Sequence, residues 1–328
     1  MTFAAPISVS ESLKSTHARY AAYAAARLGY SFRSLDGDDG YLFEVSNGAR
    51  KALYAGGAGS PFAFNDSRAA SLAKDKAFAA TALAEAGLPS IPGQVFFITD
   101  EFQEMRAPGR ELADAFAFAE TAAYPLFVKP LNGSSGLDAR RVDDAASFRE
   151  ALRSAAKRHF AMLVQPCLSG REHRVFVLEG RPLFSYEKMR PVVVGDGVAV
   201  LRALAGASAH ALVTGRDAAG GYYRAEDIPE AGVRVEIEGP ANRAVGGGAI
   251  GFSDSPAPIL ARLALDAAAV IGLQCAGVDI FDLSPEGDFS RLAVIEVNSN
   301  PMFKTLEDVG RWDLIVAIWA RNFELSLR

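Results

Sequence analysis

Cysteine, histidine and tryptophan are scarce in this 328-residue chain, which has two, four and two of them. Cys167 and Cys275 cannot build a disulfide framework or a four-cysteine zinc site. They read as small buried hydrophobes in a reducing compartment. Four histidines are too few to furnish a zinc centre. Neither sign of charge dominates: 34 Lys and Arg stand against 39 Asp and Glu, a net charge of -5. A sequence-independent nucleic-acid binder needs a basic surface to neutralise phosphates, so that class is excluded. Met1 to Lys14 lacks a basic start followed by an apolar run, which argues against a signal peptide. The most apolar stretch, Ile259 to Phe281, is broken by Arg262, Asp266, Gln274 and Asp279. It falls short of the roughly 18 uninterrupted residues of a spanning helix. The expectation is a cytoplasmic protein with no membrane or nucleic-acid partner. With 50% hydrophobic residues a sizeable core is assured. The length implies two domains or one elaborated α/β unit.

What is present alternates strands and helices, an α/β or α+β pattern. Asn65, Asp66 and Ser67 offer caps for a helix over Ser67 to Ala86, closed by Gly87 and Pro89. A second helix spans Glu111 to Ala122, and Pro125 opens the strand Leu126 to Lys129. Pro130 to Asp138 is a turn-rich loop. Asp144 caps a helix with Phe148 and Leu152 on its apolar face. Met162 to Gln165 is a strand, and Arg174 to Leu178 with Pro182 to Tyr186 forms a hairpin around Glu179-Gly180. Val194 to Gly251 is glycine-rich and reads as mostly loop with one strand, Val233 to Ile237. A helix over Pro258 to Ile271, with Ser255 as its cap, precedes the strands Gly277 to Leu283 and Leu292 to Asn298. Ser284-Pro285-Glu286-Gly287 turns between them. An amphipathic helix, Arg311 to Leu325, covers the sheet.

The strongest chemical signal is Glu296-Val297-Asn298 beside Asp279. Residues i and i+2 of a strand face the same side, so Glu296 and Asn298 point together, and Asp279 on the paired strand can face them. None has an obvious local basic partner. Three oxygen donors on the face of a central hairpin suit a hard cation such as Mg²⁺. The competing reading is a solvated polar face. Lys129, ending its strand before Asn132-Gly133-Ser134-Ser135-Gly136, suits a phosphate cradled by backbone N–H groups and hydroxyls. It could equally be a surface lysine. Gly246 to Gly251 fits GxGxxG but does not open a helix, so the dinucleotide fingerprint lacks its context. Lys76 reads as a solvated helix face or a ligand. Glu172 binds ribose hydroxyls or pairs with Arg171. Arg190 holds a carboxylate or phosphate or stays a surface charge. His173 reads as structural.

Taken in order, these residues resemble the ATP-grasp superfamily of carboxylate–amine ligases, from Asn65 to the C-terminus. Asp75-Lys76 with Gly87-Leu88-Pro89 is similar to the helix entry carrying a first nucleotide lysine. Pro125 to Lys129 with Gly133-Ser134-Ser135-Gly136 is similar to the second lysine and the small phosphate loop. Leu163 to Leu168 resembles the adenine hinge, Glu172 the ribose acid, and Asp279, Glu296 and Asn298 the metal site. Within the superfamily the likeness is closest to the ATP-grasp part of cyanophycin synthetases. Glutathione synthetases and peptide-tailoring glutamate ligases are more distant.

The resemblance implies an ATP-grasp fold in three subdomains, 1–74, 75–187 and 188–328, with nucleotide between the central and C-terminal sheets. It implies ATP and two Mg²⁺ ions, with Mn²⁺ an alternative, and amino-acid or small-peptide substrates. Lys76, Lys129, Ser134, Ser135, Gly136, Gln165, Pro166, Cys167, Leu168 and Glu172 would bind the nucleotide. Arg190, Arg174 and Lys129 would act on the reacting groups. Asp279, Glu296 and Asn298 would hold metal. The implied reaction makes an acyl phosphate from a carboxylate and then an amide, and Lys304 is a candidate for a substrate carboxylate. A GxxxxGK[ST]-type second module is missing, so a stand-alone ligase is expected. Gly277 stands where D-alanine–D-alanine ligases carry an arginine, which disfavours that chemistry. A kinase or a non-catalytic nucleotide binder remains open, as does a homo-oligomer.

Overall fold

The structure, a computed structural model, describes residues 12–57, 59–133, 136, 138–206, 213–238, 247–285 and 288–328. The chain opens on α1 (Thr16–Leu28), whose alanines let it pack closely. Ser15 Oγ accepts from Ala18 N–H at its start, and Gly29 closes it in the left-handed region. An antiparallel sheet follows, β1 (Ser31–Ser34), β2 (Leu42–Ser46) and β3 (Lys51–Ala55). The single helix expected over Ser67 to Ala86 is two, α2 (Ser67–Lys74) and α3 (Lys76–Glu85). Asp75 is the cause of the break. It takes extended geometry and its carboxylate caps Ala77 and Phe78 N–H, which starts a new helix at Lys76.

The central sheet is antiparallel in the order β4-β7-β5-β6. Its strands are β4 (Gln94–Phe97), β5 (Leu126–Pro130), β6 (Arg140–Val142) and β7 (Ala161–Pro166). Between them run α4 (Leu112–Thr121) and α5 (Ala145–Ala155), the latter started by the Asp144 capping box. Phe96, Val128, Met162 and Val164 pack on Ala115, Ala119, Phe148 and Leu152 of these helices. The other sheet face, carrying Phe127, Lys129 and Gln165, is left for a cleft.

The largest sheet begins with β8 (Arg171–Leu178) and β9 (Arg181–Met189), paired around Glu179-Gly180 as expected. The chain then builds β10 (Val192–Val194), α6 (Leu201–Ala205), β11 (Thr214–Asp217), β12 (Tyr222–Arg224) and β13 (Arg234–Ile237). These strands form a lobe of order β10-β13-β11-β12 over Leu201, Val213, Ala225 and Val235. The expectation of mostly loop over Val194 to Gly251 is therefore corrected. Strands of three or four residues are too short for alternation to register. Gly215, which reads as a loop residue, is in mid-strand because a Cβ there would lie 2.5 Å from Val235 Cγ1.

Next come β14 (Gly248–Ser253), α7 (Pro258–Ile271), β15 (Cys275–Asp282) and β16 (Leu292–Asn298). They complete the order β14-β9-β8-β15-β16. Most of the GxGxxG run is thus edge strand; its first glycine, Gly246, lies outside the described residues. Ser255 does not cap α7. The cap position is Ala257 with Pro258 in the first turn, and Ser255 N–H instead donates to Ser253 Oγ. Glu286 and Gly287 of the expected turn lie outside the described residues. The chain closes with α8 (Lys304–Asp308) and α9 (Trp312–Ser326). No helix among the described residues is long and apolar enough to cross a membrane.

The large sheet buries one face, Val175, Val177, Val278 and Ile280, against Leu263, Ala264 and Ala267 of α7. Its other face is divided. Phe176, Phe184 and Cys275 at one end join the core of α1 and α9. The far end carries the polar residues of the cleft.

His17, on α1, is buried among Phe62, Phe303 and Trp319, and neither ring nitrogen has a hydrogen-bond partner among the described residues. Burial pushes its pKa from 6.5 down to about 4. The unfolded chain therefore takes up this proton from pH 6.5 downward, the folded chain only near pH 4. Stability present above 6.5 should be lost across that window, by about 3 kcal/mol. His17→Phe should remove this component, read as the difference between the two proteins' urea stabilities from pH 7 to 4. Identical pH profiles would refute it.

Candidate functional site

A cleft of about 670 Å³ lies between the central and large sheets. It gathers Lys76, Lys129, Gly136, Gln165, Pro166, Cys167, Leu168, Glu172, Arg174, Arg190, Glu296 and Asn298, which sequence reasoning had singled out separately. Asp279 lies directly beneath, fully buried. Ser134 and Ser135 are outside the described residues.

On the central-sheet wall, β5 presents Lys129 into the cleft with Phe127 two residues before it. The lysine is only 6% exposed and has no ion pair among the described residues. Burial, reinforced by the charge of Lys76, pushes its pKa down to about 8, against the pull of Glu296. Lys76 Nζ donates to the Gly133 carbonyl at 2.8 Å, which holds the start of the glycine segment. In the hinge, Gln165 Nε2 donates to the Ile91 carbonyl at 2.7 Å, so one of its two amide hydrogens is spent inside the wall. Cys167 N–H donates to Pro125 and Pro166 has no N–H, which leaves Leu168 N–H as the hinge's backbone donor.

On the opposite wall β15 and β16 pair with Asp279 opposite Glu296 and Gly277 opposite Asn298. An irregularity after Asp279 inserts Ile295, so that Ile295 and Glu296 both line the cleft. Asn298 Nδ2 donates to Glu296 Oε1 at 3.1 Å and to the Gly277 carbonyl, leaving its Oδ1 uncommitted. Glu296 has no cation within ion-pair reach among the described residues. Donors of this kind fit a divalent cation carried in by phosphate oxygens. No three His, Cys, Asp or Glu among the described residues form a metal cluster by themselves.

The expectation that the carboxylates lack a basic partner is corrected at Asp279. Arg174 Nε and Nη2 grip its two oxygens at 2.6 Å each, and Lys188 Nζ lies 3.3 Å from Oδ2. Burial raises the carboxyl's pKa, but these cations outweigh it and hold the value down to about 2. Lys188 also donates to Glu172, opposite it on β8. The alternative of a Glu172–Arg171 pair is likewise corrected, since Arg171 turns to Asp282. Gly277 lets Pro301 pack close against this strand beside Arg174: a Cβ there would meet Pro301 Cβ at 2.9 Å, whereas Arg174 Cδ at 3.6 Å would be in ordinary contact.

Sequence reasoning did not single out Lys188 or Tyr186 of β9, both of which line the cleft. Arg190, at the rim, is paired at 2.9 Å with Glu236 of the small lobe. Lys304 is paired with Glu307 and Asp308.

Two basic residues without acidic partners among the described residues thus face a carboxylate without an ion pair among them across the cleft. That arrangement suits a polyanion with its counter-ion. Residues 83–196 match the family model described as D-ala D-ala ligase C-terminus. The match ends before Asp279, Glu296 and Asn298.

Among curated proteins, the cyanophycin synthetase of Trichormus variabilis is 26% identical over 258 residues, 71% of this chain and 27% of that protein. The glutathione biosynthesis bifunctional protein GshAB of Streptococcus mutans is 26% identical over 208 residues, 56% of this chain and 28% of that protein. The matched part thus spans just over a quarter of the length of these relatives. Among solved structures, a bifunctional glutathione synthetase from Pasteurella multocida overlays with a TM-score of 0.47 and 20% identity, covering 87% of this chain and 40% of that one.

Proposed function

We propose that the protein is an ATP-dependent carboxylate–amine ligase that joins amino-acid or small-peptide substrates through an acyl phosphate. The observation that carries this reading is the cleft itself, with Lys76 and Lys129 on one wall facing Glu296 and Asn298 on the other. The named relatives, a cyanophycin synthetase and a glutathione biosynthesis protein, support the same class of chemistry.

In this reading ATP is a substrate. A carboxylate oxygen attacks its γ-phosphorus, ADP leaves, and an amine then displaces phosphate to give the amide. Lys76 and Lys129 neutralise phosphate charge, and the hinge from Gln165 to Leu168 meets the base. Glu172 receives the ribose. Glu296 and Asn298, with Asp279 behind them, hold Mg²⁺ or Mn²⁺, which when bound neutralises phosphate charge and polarises its oxygens. Arg174 spends Nε and Nη2 on Asp279 and keeps Nη1 for an oxygen of the reacting carboxylate. Arg190 reaches the same group on leaving Glu236.

Purified protein given ATP, Mg²⁺ and a panel of amino acids and short peptides should release phosphate only when a carboxylate and an amine are supplied together. Mass spectrometry should find the matching amide. A stable phosphorylated product would make the protein a kinase, and tight ATP binding without turnover would make it a binder. Either result would overturn the ligase reading.

A further inference from the structure

Four charged side chains are linked in a chain across three neighbouring strands: Glu172 on β8 to Lys188 on β9, Lys188 to Asp279 on β15, and Asp279 to Arg174 on β8. All four are largely withdrawn from solvent, and the two cations balance the two carboxylates. The two cations are not equivalent. Arg174 grips Asp279 through two parallel bonds in a fixed fork, which by itself satisfies the charge of that carboxylate. Lys188 is a second cation on an oxygen already served. It is a point charge on a flexible stem, and it reaches Asp279 and Glu172 at once. In the ligase reading these two carboxylates serve different ligands, one the cation and the other the ribose.

We infer that Lys188 is an internal counter-ion that couples cation and nucleotide binding, occupying Asp279 and Glu172 until the two ligands together replace it. The inference rests on the nucleotide reading of the cleft. A divalent cation at Glu296 and Asn298 arrives across the ladder from Asp279 and must drive the ammonium off it. Alone, the cation gives Lys188 no new partner, so binding is weak. A nucleotide supplies phosphate oxygens to receive the displaced ammonium and hydroxyls to take over Glu172. Each ligand thereby lowers the cost of the other, and linkage requires the effect to be reciprocal.

The test is Mn²⁺ binding to the full chain, followed by the electron paramagnetic resonance of free Mn²⁺, with and without ADP. Each variant's melting curve is recorded alongside. In Lys188→Met, Mn²⁺ alone should bind about fivefold tighter or more, and the enhancement by ADP should shrink by a similar factor. Lys188→Arg, which keeps a cation, should retain the parent's enhancement. Glu172→Gln should act in the opposite direction, weakening Mn²⁺ alone because Lys188 then loses the charge of Glu172 and is held more firmly by Asp279. This arm decides the matter if Lys188→Met does not fold. An enhancement by ADP that is unchanged in Lys188→Met, or Mn²⁺ affinity that holds or rises in Glu172→Gln, overturns the coupling while leaving the nucleotide site standing. Failure of the parent protein to bind ADP with Mn²⁺ overturns the nucleotide reading itself, and the coupling with it.

Discussion

Glu296→Gln should lower turnover about a hundredfold or more while leaving the unfolding midpoint nearly unchanged. Glutamine keeps the side chain's shape and can still accept from Asn298 Nδ2, so only the charge is lost. A preorganised electrostatic contact that strengthens in the transition state typically carries about 10²–10³ in kcat. Lys129→Met should lower turnover by a similar factor, and here stability should hold or rise. The ammonium is nearly buried, and its pKa of about 8 records how strongly burial disfavours the charge. Losing activity while gaining stability is the mark of a group retained for chemistry rather than folding. The measurements are kcat with any substrate pair that the panel assay identifies and urea unfolding of each variant. Parent-like rates in both would remove these residues from the site.

Asp279→Ala should cost about 3–5 kcal/mol of stability, the usual penalty for breaking a buried ion pair from one side. Arg174 and Lys188 would then face each other at the floor of the cleft without their shared counter-charge, largely withdrawn from solvent. A loss of that size is a large fraction of the roughly 5–15 kcal/mol that holds most domains. Asp279→Leu combined with Arg174→Met should recover much of it, because the buried fork and its partner are removed together. The pH dependence has a definite sign. The folded carboxyl titrates near 2, below its ordinary value of 3.8, so its contribution is present above 3.8 and is lost as pH falls from 3.8 to 2. That window lies below the one set by His17, which separates the two groups in an acid titration. A loss under about 1 kcal/mol in Asp279→Ala would show that solvent reaches the pair after all.

Local spacing carried much of the cleft and little of its wiring. Glu296 and Asn298 were legible because a strand puts i and i+2 on one face, and Asp279 because a short turn joins the two strands. Arg174 was not legible as its partner, since it precedes Asp279 by 105 residues and meets it only because β8 pairs with the far side of β15. Lys188 had a signal that simple hairpin arithmetic misreads. Counting outward from Leu178 opposite Arg181 would bring Glu187 opposite Glu172, a repulsive pair. An irregularity between Phe176 and Val177 moves the register by one, so that Lys188 faces Glu172 and Glu187 faces His173. The cap at Asp144 was local and therefore readable. The Asp75 break was hidden because aspartate in a run of alanines reads equally as a helix residue or as a new start. The small lobe escaped notice because its strands are set by pairing rather than by composition.

That lobe also divides the molecule by how easily its parts open. Among the described residues its own buried core is four side chains, Leu201, Val213, Ala225 and Val235, whereas β8 and β15 lie between α7 and the cleft in a far larger core. So few buried apolar groups leave the lobe near the low end of the local-unfolding scale, where backbone amides exchange with solvent without the rest of the chain unfolding. Arg190 and Glu238 stand where the lobe meets the rim of the cleft. Fraying of β10–β13 therefore unseats a guanidinium and a carboxylate from that rim at once.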